Sequence, residues 1–340
     1  MKKKILAGLL SGAMALSLAA CGGGGGGAAN TPAGNSSTPS TSGTTPVSGE
    51  SYTVGICQQM THEALDAATQ GFKDALNEKL PGQVTFEEQD AGGEYANCGT
   101  IMDGFVAQGV DLILANATYP LQAAASATAD IPILGTSVTD YATALSIEDW
   151  TGTVGGNISG TSDLAPLDQQ ADMLQELFPD ATNVGLLYCS GEPNSVYQIE
   201  TIQGYLEEMG YTCTQYAFTD VNDLSSVVQT ACDGSDVIYV PTDNTAAANT
   251  ETIANVVIPA GVPVIAGESG ICSGCGVATL SISYYDIGYK TGEMAAQILT
   301  GEADISTMPV EFAPNVTKMY NAANCEALNL TMPEGYEPIA

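Results

Sequence analysis

The sequence contains no arginine and has little positive charge of any kind. Seven lysines stand against 39 aspartates and glutamates in 340 residues, which gives a formal net charge of −32 at pH 7. Such an acidic surface repels nucleic acids and anionic lipid headgroups. Because no arginine is present to clamp a carboxylate or phosphate with paired hydrogen bonds, an anionic ligand is also disfavoured. Zwitterions, cations and neutral solutes remain as ligand classes.

Histidine and paired cysteine motifs are scarce as well. His62 is the only histidine, which excludes a cluster of histidine metal ligands and leaves a histidine-dependent hydrolase hard to assemble. Cys272-Ser-Gly-Cys275 is a CxxC motif, but the second such motif that a zinc knuckle needs is absent. We predict that it lies in a glycine-rich loop, whereas a redox-active cysteine begins a helix. The sequence therefore predicts no metal, no cofactor and no catalysis, and leaves a disulfide and free thiols as alternatives for this pair.

The first 20 residues are typical of a signal peptide. Lys2 to Lys4 give a positive start, and residues 5–20 form an apolar stretch too short to span a bilayer comfortably. The stretch ends in Leu18-Ala19-Ala20-Cys21, which resembles the lipobox of bacterial lipoproteins and implies a lipid on Cys21. The alternative is an ordinary signal peptide followed by a chance cysteine. Residues 21–50 are rich in Gly, Ser, Thr and Pro and predict a flexible tether. We therefore expect a protein lipid-anchored at the extracellular face of the cytoplasmic membrane.

From Tyr52 onwards, short apolar runs alternate with amphipathic segments of helical period. The alternation occurs twice, and the two halves contain matching strands. Asp111-Leu-Ile-Leu corresponds to Asp236-Val-Ile-Tyr, and Ile131-Pro-Ile-Leu corresponds to Val262-Pro-Val-Ile. Repeated strand–helix units predict an α/β protein with two doubly wound parallel sheets. Because ligands of such sheets bind beyond the carboxyl ends of the strands, the site is expected in a cleft between two lobes.

Short segments from Tyr52 to the C-terminus carry a resemblance to a known family. They are Val54-Gly-Ile-Cys-Gln58 with Thr61-His62, Ala117-Thr118 with Gln122, Thr139-Asp140, Gly160-Thr-Ser-Asp163, Asn194-Ser195, Val240-Pro-Thr-Asp-Asn-Thr245 and Asp286-Ile-Gly288. In order and spacing they resemble ABC transporter substrate-binding proteins with the type I periplasmic-binding-protein fold. Within that family they are similar to the branch that includes tryptophan- and other aromatic amino-acid-binding lipoproteins.

The resemblance implies two lobes that are not contiguous in sequence. The N-terminal lobe would comprise residues 51–161 and 285–305, and the C-terminal lobe residues 162–284 and 306–340. Three chain crossings would form a hinge, and a ligand that contacts both lobes would stabilise the closed form. The implied protein captures a small zwitterion, with an amino acid favoured, for an ABC permease. We expect a monomer, because the sequence shows no long amphipathic helix beyond those of the two lobes. A sensory lipoprotein and a binder of nucleosides or sugars remain as alternatives.

Candidate residues for the carboxylate of a zwitterion lie where a strand gives way to a helix. Free N–H groups and the helix dipole supply partial positive charge at such a junction. Thr61, Thr118 and Asn194 occupy three of them. The alternative for each residue is an ordinary helix cap that needs no ligand. With no arginine in the chain, we interpret the set as a carboxylate site.

Candidate residues for the ammonium group are aspartates that follow strands. Asp163 lies at the first predicted crossing between lobes, and Asp243, with Asn244 beside it, follows the strand that ends at Val240. Asp140 and Asp286 are further candidates. The alternative for each aspartate is a turn or a helix cap.

The remaining candidates are expected to form the wall of the pocket. His62 begins the first helix and either lines the cleft or faces solvent, and Thr139 is included because its segment resembles the family. Gln59 replaces a residue that is typically apolar or aromatic in the tryptophan-binding relatives. Tyr119 and Tyr141 can supply ring faces. The more polar wall makes a polar amino acid or another small zwitterion an alternative to an aromatic one.

Overall fold

Two series of short apolar strands form two sheets in the computed structural model, which describes residues 51–339. The first series comprises β1 (Tyr52–Gln58), α1 (Glu63–Lys79), β2 (Val84–Asp90), α2 (Tyr95–Gln108), β3 (Leu112–Asn116), α3 (Thr118–Ala127), β4 (Ile133–Val138), α4 (Tyr141–Leu145) and β5 (Ile158–Ser162). Along the first sheet the strands pair in parallel in the order β5-β4-β3-β1-β2. β3 and β4 are buried along their whole length, as expected of strands covered by helices on both faces.

The second series repeats the pattern. It comprises α5 (Leu167–Leu177), β6 (Asn183–Cys189), α6 (Pro193–Glu208), β7 (Thr212–Phe218), α7 (Val221–Gly234), β8 (Val237–Val240), α8 (Asn244–Ala247), α9 (Thr250–Ala260), β9 (Val264–Ala266), α10 (Ser269–Gly274) and β10 (Ala278–Ser281). These strands pair in parallel in the order β10-β9-β8-β6-β7. The prediction of two doubly wound parallel-sheet lobes is confirmed.

The last segment of the chain returns to both lobes. It comprises α11 (Tyr284–Leu299), a 3-10 helix (Ile305–Thr307), β11 (Glu311–Phe312), β12 (Thr317–Tyr320), α12 (Ala322–Ala327) and β13 (Glu337–Pro338). α11 packs on α1 of the first lobe, and β11 extends the first sheet beside β5. β12 then pairs antiparallel with β10 of the second sheet. The described chain therefore crosses between lobes three times.

The predicted lobe boundary at residues 305 and 306 comes too early. Glu311 pairs with Thr161 in the first sheet, and the Ser159 hydroxyl donates to the Met308 carbonyl oxygen at 3.1 Å. Residues 306–312 therefore follow the N-terminal lobe, and the third crossing lies after Phe312. The edge of β5 was open to a further strand, but a two-residue strand leaves no periodic signal in the sequence.

The CxxC motif lies in a helix rather than in the predicted loop. Cys272 belongs to α10, and Cys275 follows directly at its end. Both side chains are buried free thiols in the core of the second lobe. Burial raises the pKa of both thiols, which is the opposite of what a reactive thiolate requires.

The predicted signal peptide, Cys21 and the tether lie outside the described residues. Among residues 51–339, no helix combines the length and the apolar character needed to cross a bilayer.

Candidate functional site

The carboxyl ends of the strands in both lobes meet around a small buried cavity. First-lobe residues after β1 and in β4 face second-lobe residues after β6, β8 and β9, and the first crossing closes the base. The cavity has a volume of about 10 Å³, which is about the room that one water molecule needs. It is lined by six of the predicted residues, namely His62, Thr139, Asp163, Asn194, Asp243 and Asn244. We call it the inner cavity.

The N-terminus of α1 points at the inner cavity. The helix begins at Glu63 after the extended residue His62, and no side chain caps it. Ala64 and Leu65 of its first turn line the cavity wall. The helix has 17 residues, so the positive end of a full-length helix dipole meets this space. The arrangement suits a negatively charged group of a ligand.

Ser137 reaches the inner cavity because β4 is irregular there. The pairing of β4 with β5 shifts register between Gly135 and Val138, and Ser137 has a φ of 54°, in the left-handed region. A bulge of this kind redirects a side chain at a cost in backbone strain. The hydroxyl of Ser137 is buried and makes no hydrogen bond in the structure. Strain and an unused polar atom therefore coincide at the cavity.

Asp163 lies at the first crossing and is almost fully buried. Its Oδ2 accepts a hydrogen bond from the Tyr284 hydroxyl at 2.9 Å, while its Oδ1 is buried without a partner. Burial raises the pKa of Asp163, and the hydrogen-bonding contributions of Tyr284, of Thr139 and of the backbone only partly oppose this effect. The structure thus places one unused carboxylate oxygen at the cavity.

His62 connects the two lobes. Its Nε2 lies 3.1 Å from Oδ1 of Asn244, across the cleft, while its Nδ1 is buried without a partner. Burial lowers the pKa of His62, although nearby carboxylates act in the opposite direction. The only histidine therefore lines the cleft, which was one of its two predicted positions.

Two buried carboxylates of the second lobe already accept hydrogen bonds from the helices that follow them. Asp243 accepts from the Ala246 N–H of α8 at 2.8 Å and from the Cys189 N–H at 2.7 Å. Glu268 accepts from the N–H groups at the start of α10. Burial raises the pKa of each carboxyl group to about 7, with Glu192 contributing at Asp243. Both side chains line the cavity, but they already have partners.

A larger cavity of about 440 Å³ lies at the mouth of the cleft, and we call it the outer cavity. Gln59 and Tyr119 line it from the first lobe, and Glu192 from the second. The Tyr119 hydroxyl donates to the Gly191 carbonyl oxygen of the opposite lobe, and burial raises its pKa to about 12. The Tyr119 ring also meets that of Tyr95 edge-on at 5.3 Å. An aromatic face, an amide and a carboxylate therefore surround this space.

The other predicted site residues lie elsewhere. Thr61 is exposed and donates to Asp90 at 2.7 Å, and Asp140 caps α4 by accepting from the Thr143 N–H. Thr118 is buried at the start of α3. Asp286 is exposed on α11, beside a separate surface cavity.

Sequence reasoning missed four residues at the cleft, namely Ser137, Glu192, Glu268 and Tyr284. A glutamate before a helix is usually an exposed capping residue, so nothing local distinguished Glu192 and Glu268. Glu192 is nonetheless buried, and its carboxylate accepts hydrogen bonds from Asn244 and Thr245. For Ser137, the nearest signal was the strand end that it shares with Thr139.

No lysine among the described residues lines either cavity. Each of the four lysines in this part of the chain pairs instead with a glutamate at the surface. The pairs are Lys73–Glu88, Lys79–Glu293, Lys290–Glu311 and Lys318–Glu176. No lysine side chain of the described residues therefore neutralises the buried carboxylates of the cleft.

Comparisons with known proteins agree with this architecture. Residues 53–337 match the model of a family described as ABC transporter substrate binding protein. The chain is 31% identical over 280 residues to a tyrosine-binding protein of Clostridioides difficile, covering 82% of this chain and 81% of that protein.

Two solved structures add information on the arrangement of the lobes. A Streptococcus pneumoniae protein in complex with L-Trp superposes with a TM-score of 0.81 at 30% identity, covering 85% of this chain and all of that one. The ligand-free, open form of a Clostridium difficile substrate-binding protein gives 0.66 at 32% identity, covering 85% and 99%. Because the identities are similar, the lower score indicates a different lobe arrangement.

Proposed function

The chain belongs to the ABC transporter substrate-binding protein family, and on that premise we propose that it binds an amino-acid zwitterion for import. One observation carries the proposal. Three buried polar atoms without partners line the same inner cavity, namely Nδ1 of His62, Oγ of Ser137 and Oδ1 of Asp163. A buried polar atom without a hydrogen bond is costly, so three at one place indicate a missing partner.

We assign the ammonium half of the ligand to Asp163. Its Oδ1 is an unused acceptor in a buried site that no lysine approaches. A ligand ammonium would supply both the missing hydrogen bond and the missing charge, and the pKa that burial has raised would then fall. A neutral sugar or nucleoside supplies only the hydrogen bond.

We assign the carboxylate half to the start of α1 and to Ser137. The uncapped helix N-terminus offers N–H groups and a partial positive charge, and the Ser137 hydroxyl is a free donor. This pair takes the place that an arginine fills in other carboxylate sites. Asn194, which was predicted for this role, lines the cavity but donates to the Thr242 carbonyl oxygen and to Glu192.

We place the ligand side chain in the outer cavity. Tyr119 offers a ring face, while Gln59 and Glu192 offer polar groups to a hydroxyl or a ring N–H. An aromatic amino acid with a polar group fits this wall, and the names of the relatives make L-tyrosine and L-tryptophan the first probes.

Capture requires the lobes to move. An inner cavity of about 10 Å³ cannot hold the ammonium and carboxylate groups of an amino acid, so the ligand must enter an open form, and the bound form must leave more room between the lobes than this structure does. The three crossings would serve as the hinge, and closure would add contacts from both lobes to the bound ligand. Binding energy would then shift the population towards the closed form, which the permease of an ABC importer would recognise.

We further propose that the protein works outside the cytoplasm as a monomer held by a lipid on Cys21. The lipobox-like segment and the polar residues 21–50 support this assignment. Replacing Cys21 with serine should release the protein from the membrane into the medium. Membrane retention of that variant would contradict the lipid anchor.

The proposal is tested by isothermal titration of the purified protein with amino acids, nucleosides and sugars. We expect binding of L-tyrosine or L-tryptophan and a loss of about ten- to hundredfold in affinity on Asp163→Asn, because a hydrogen bond to a charged group is removed. Asp286→Asn is the matched control, since Asp286 is exposed outside the cleft. Binding of sugars or nucleosides alone would overturn the zwitterion assignment.

A further inference from the structure

We propose that Glu192 is a positioning residue that fixes the tautomer of His62 through Asn244, so that Nδ1 of His62 accepts a hydrogen bond from the ligand. The ligand half of this inference rests on the proposed amino-acid ligand, whereas the tautomer half rests on the three side chains alone. Glu192 and Asn244 belong to the second lobe, and His62 belongs to the first. The hydrogen bonds that link Glu192 to Asn244 and Asn244 to His62, which we call the relay, therefore exist only when the lobes are close together.

The first step is the orientation of Asn244. The Glu192 carboxylate is buried and accepts from the backbone N–H of Asn244 at 3.0 Å and from its Nδ2 at 2.7 Å. It also accepts from the N–H and hydroxyl of Thr245. The same Glu192 oxygen accepts from the backbone N–H of Asn244, so it faces the NH₂ group of Asn244 as an acceptor. The amide of Asn244 is therefore locked with Oδ1 pointing away from Glu192.

The second step is the tautomer of His62. Oδ1 of Asn244 lies 3.1 Å from Nε2 of His62, and an amide oxygen can only accept a hydrogen bond. Nε2 must therefore carry the proton. In a neutral imidazole, the other nitrogen is then an acceptor with a free lone pair.

The third step is the charge of His62. The hydrogen bond to Asn244 favours the imidazolium form, as do the carboxylates of Glu192 from the other lobe and of Asp66 and Asp90 from its own lobe. Burial outweighs them and lowers the pKa of His62, so the neutral ring is the main form at neutral pH. Nδ1 is buried, has no partner and belongs to a side chain that lines the inner cavity. The relay thus presents a bare acceptor to the ligand.

The free acceptor on His62 affects which kind of amine the inner cavity can bind. Nδ1 of His62, Oδ1 of Asp163 and Oγ of Ser137 are the three unused polar atoms of one cavity. The first two are acceptors, and a single group with two N–H donors can satisfy both. A primary ammonium supplies them while leaving Ser137 free to donate to a carboxylate. Asp163 alone would need only one N–H and a positive charge.

The test uses nuclear magnetic resonance, because His62 is the only histidine and gives one unambiguous imidazole signal. We would label histidine with ¹⁵N in the full chain and record spectra with and without L-tyrosine. We expect the Nε2–H tautomer with a slowly exchanging proton, and a change in the Nδ1 shift on binding. A protonated Nδ1 in the wild-type protein saturated with L-tyrosine at neutral pH would overturn the inference.

Glu192→Gln tests the relay itself. The glutamine amide can donate to Asn244, which allows Asn244 to turn and offer its NH₂ group to His62. We expect the proton to move to Nδ1 and the affinity for L-tyrosine to fall about ten- to hundredfold. Glu200→Gln is the matched control at an exposed position of α6, the helix that follows Glu192, and it should leave the tautomer unchanged. An unchanged tautomer in folded Glu192→Gln would overturn the role of Glu192.

A ligand series on the wild-type protein keeps the inference testable if Glu192→Gln fails to fold. N-methyl- and N,N-dimethyl-L-tyrosine keep the positive charge but remove one and two N–H donors. We expect a stepwise loss of affinity, with the dimethyl compound weaker by about tenfold or more. Equal affinities would overturn the acceptor role of His62. If L-tyrosine and L-tryptophan do not bind at all, the proposed function fails, while the tautomer in the two variants still decides the role of Glu192.

Discussion

The two sides of the cleft use buried carboxylates in different ways. In the second lobe, Asp243 and Glu268 accept hydrogen bonds from the helices that follow them. At the first crossing, Asp163 has one oxygen on Tyr284 and one oxygen without a partner. Burial raises the pKa of all three groups. A raised pKa therefore does not separate a structural carboxylate from one that awaits a ligand, whereas free hydrogen-bonding capacity does.

We expect the largest effect from pH on the melting temperature. Buried carboxyl groups on both sides of the cleft should contribute to it in the same direction. The pKa values of about 7 for Asp243 and Glu268 lie far above the value of about 4 for a carboxyl group in an unfolded chain. Between these values the folded protein holds protons that the unfolded chain has released, so stability falls as pH rises. Thermal melts should show a higher melting temperature near about pH 5 than near about pH 7.5.

Two substitutions test whether the buried carboxyl groups cause this pH dependence. Asp243→Asn removes one of the buried acids and should narrow the difference between the two melting temperatures. Asp286→Asn removes an exposed carboxylate and should leave the difference unchanged. A melting temperature that rises from acid to neutral pH would contradict the burial of these carboxyl groups in the folded state.

The next largest effect should be on the free energy of unfolding, and it concerns the packing that fixes α1 in the first lobe. His62 directly precedes the uncapped N-terminus of α1, and α1 packs tightly on α11. A Cβ added to Gly288 would collide with the backbone carbonyl of Ala68. Gly288→Ala should therefore lower the free energy of unfolding by about 3 kcal/mol in urea titrations. Gly104→Ala is the control, because nothing lies near its Cβ and alanine should stabilise the helix by about 0.5–1 kcal/mol. Equal stabilities of the two variants would contradict the packing.

A moderate effect is expected from Asp243→Ala, which should lower the stability of the second lobe while leaving ligand affinity nearly unchanged. Asp243→Ala removes the cap of α8 and the acceptor for the Cys189 N–H. We expect the free energy of unfolding to fall by about 1–2 kcal/mol, with little change in the affinity for L-tyrosine. Chemical denaturation and calorimetry on the same sample measure both quantities. A large loss of affinity at unchanged stability would place Asp243 with Asp163.

The smallest effect should come from the mouth of the cleft. Tyr119→Phe removes the hydroxyl that donates to the Gly191 carbonyl oxygen of the other lobe. Loss of one hydrogen bond in the closed form should weaken L-tyrosine binding about two- to tenfold. Tyr95→Phe is the matched control, since its ring packs on Tyr119 but it makes no interlobe hydrogen bond in the described chain. An equal effect of both changes would contradict a role of the Tyr119–Gly191 hydrogen bond in stabilising the closed form.

Much of the fold could be predicted from the sequence, because buried parallel strands and amphipathic helices repeat with a clear period. The same rhythm places the cleft, since the carboxyl ends of the strands define it. Six predicted residues line the inner cavity for this reason. The short strand β11 was missed, because its position depends on the free edge of β5 rather than on its own composition.

The chemistry of the site could be predicted only in part. Thr61, Asp140 and Asp163 each lie between a strand and the next helix, so they gave the same local signal. Burial and the identity of the donors then decide which residue is left without a partner, and both depend on distant segments such as α11. Ser137 depends on a bulge between β4 and β5, which is set by the pairing of strands and not by its neighbours in sequence.

The most direct test compares Asp163→Asn and Asp243→Asn in calorimetric titrations with L-tyrosine, and with L-tryptophan in parallel. The two changes are chemically identical and affect two buried aspartates that line one cavity. The account predicts a loss of about ten- to hundredfold in affinity for Asp163→Asn and nearly wild-type affinity for Asp243→Asn. Equal losses, or a larger loss at Asp243, would contradict the claim that the unpartnered carboxylate binds the ligand.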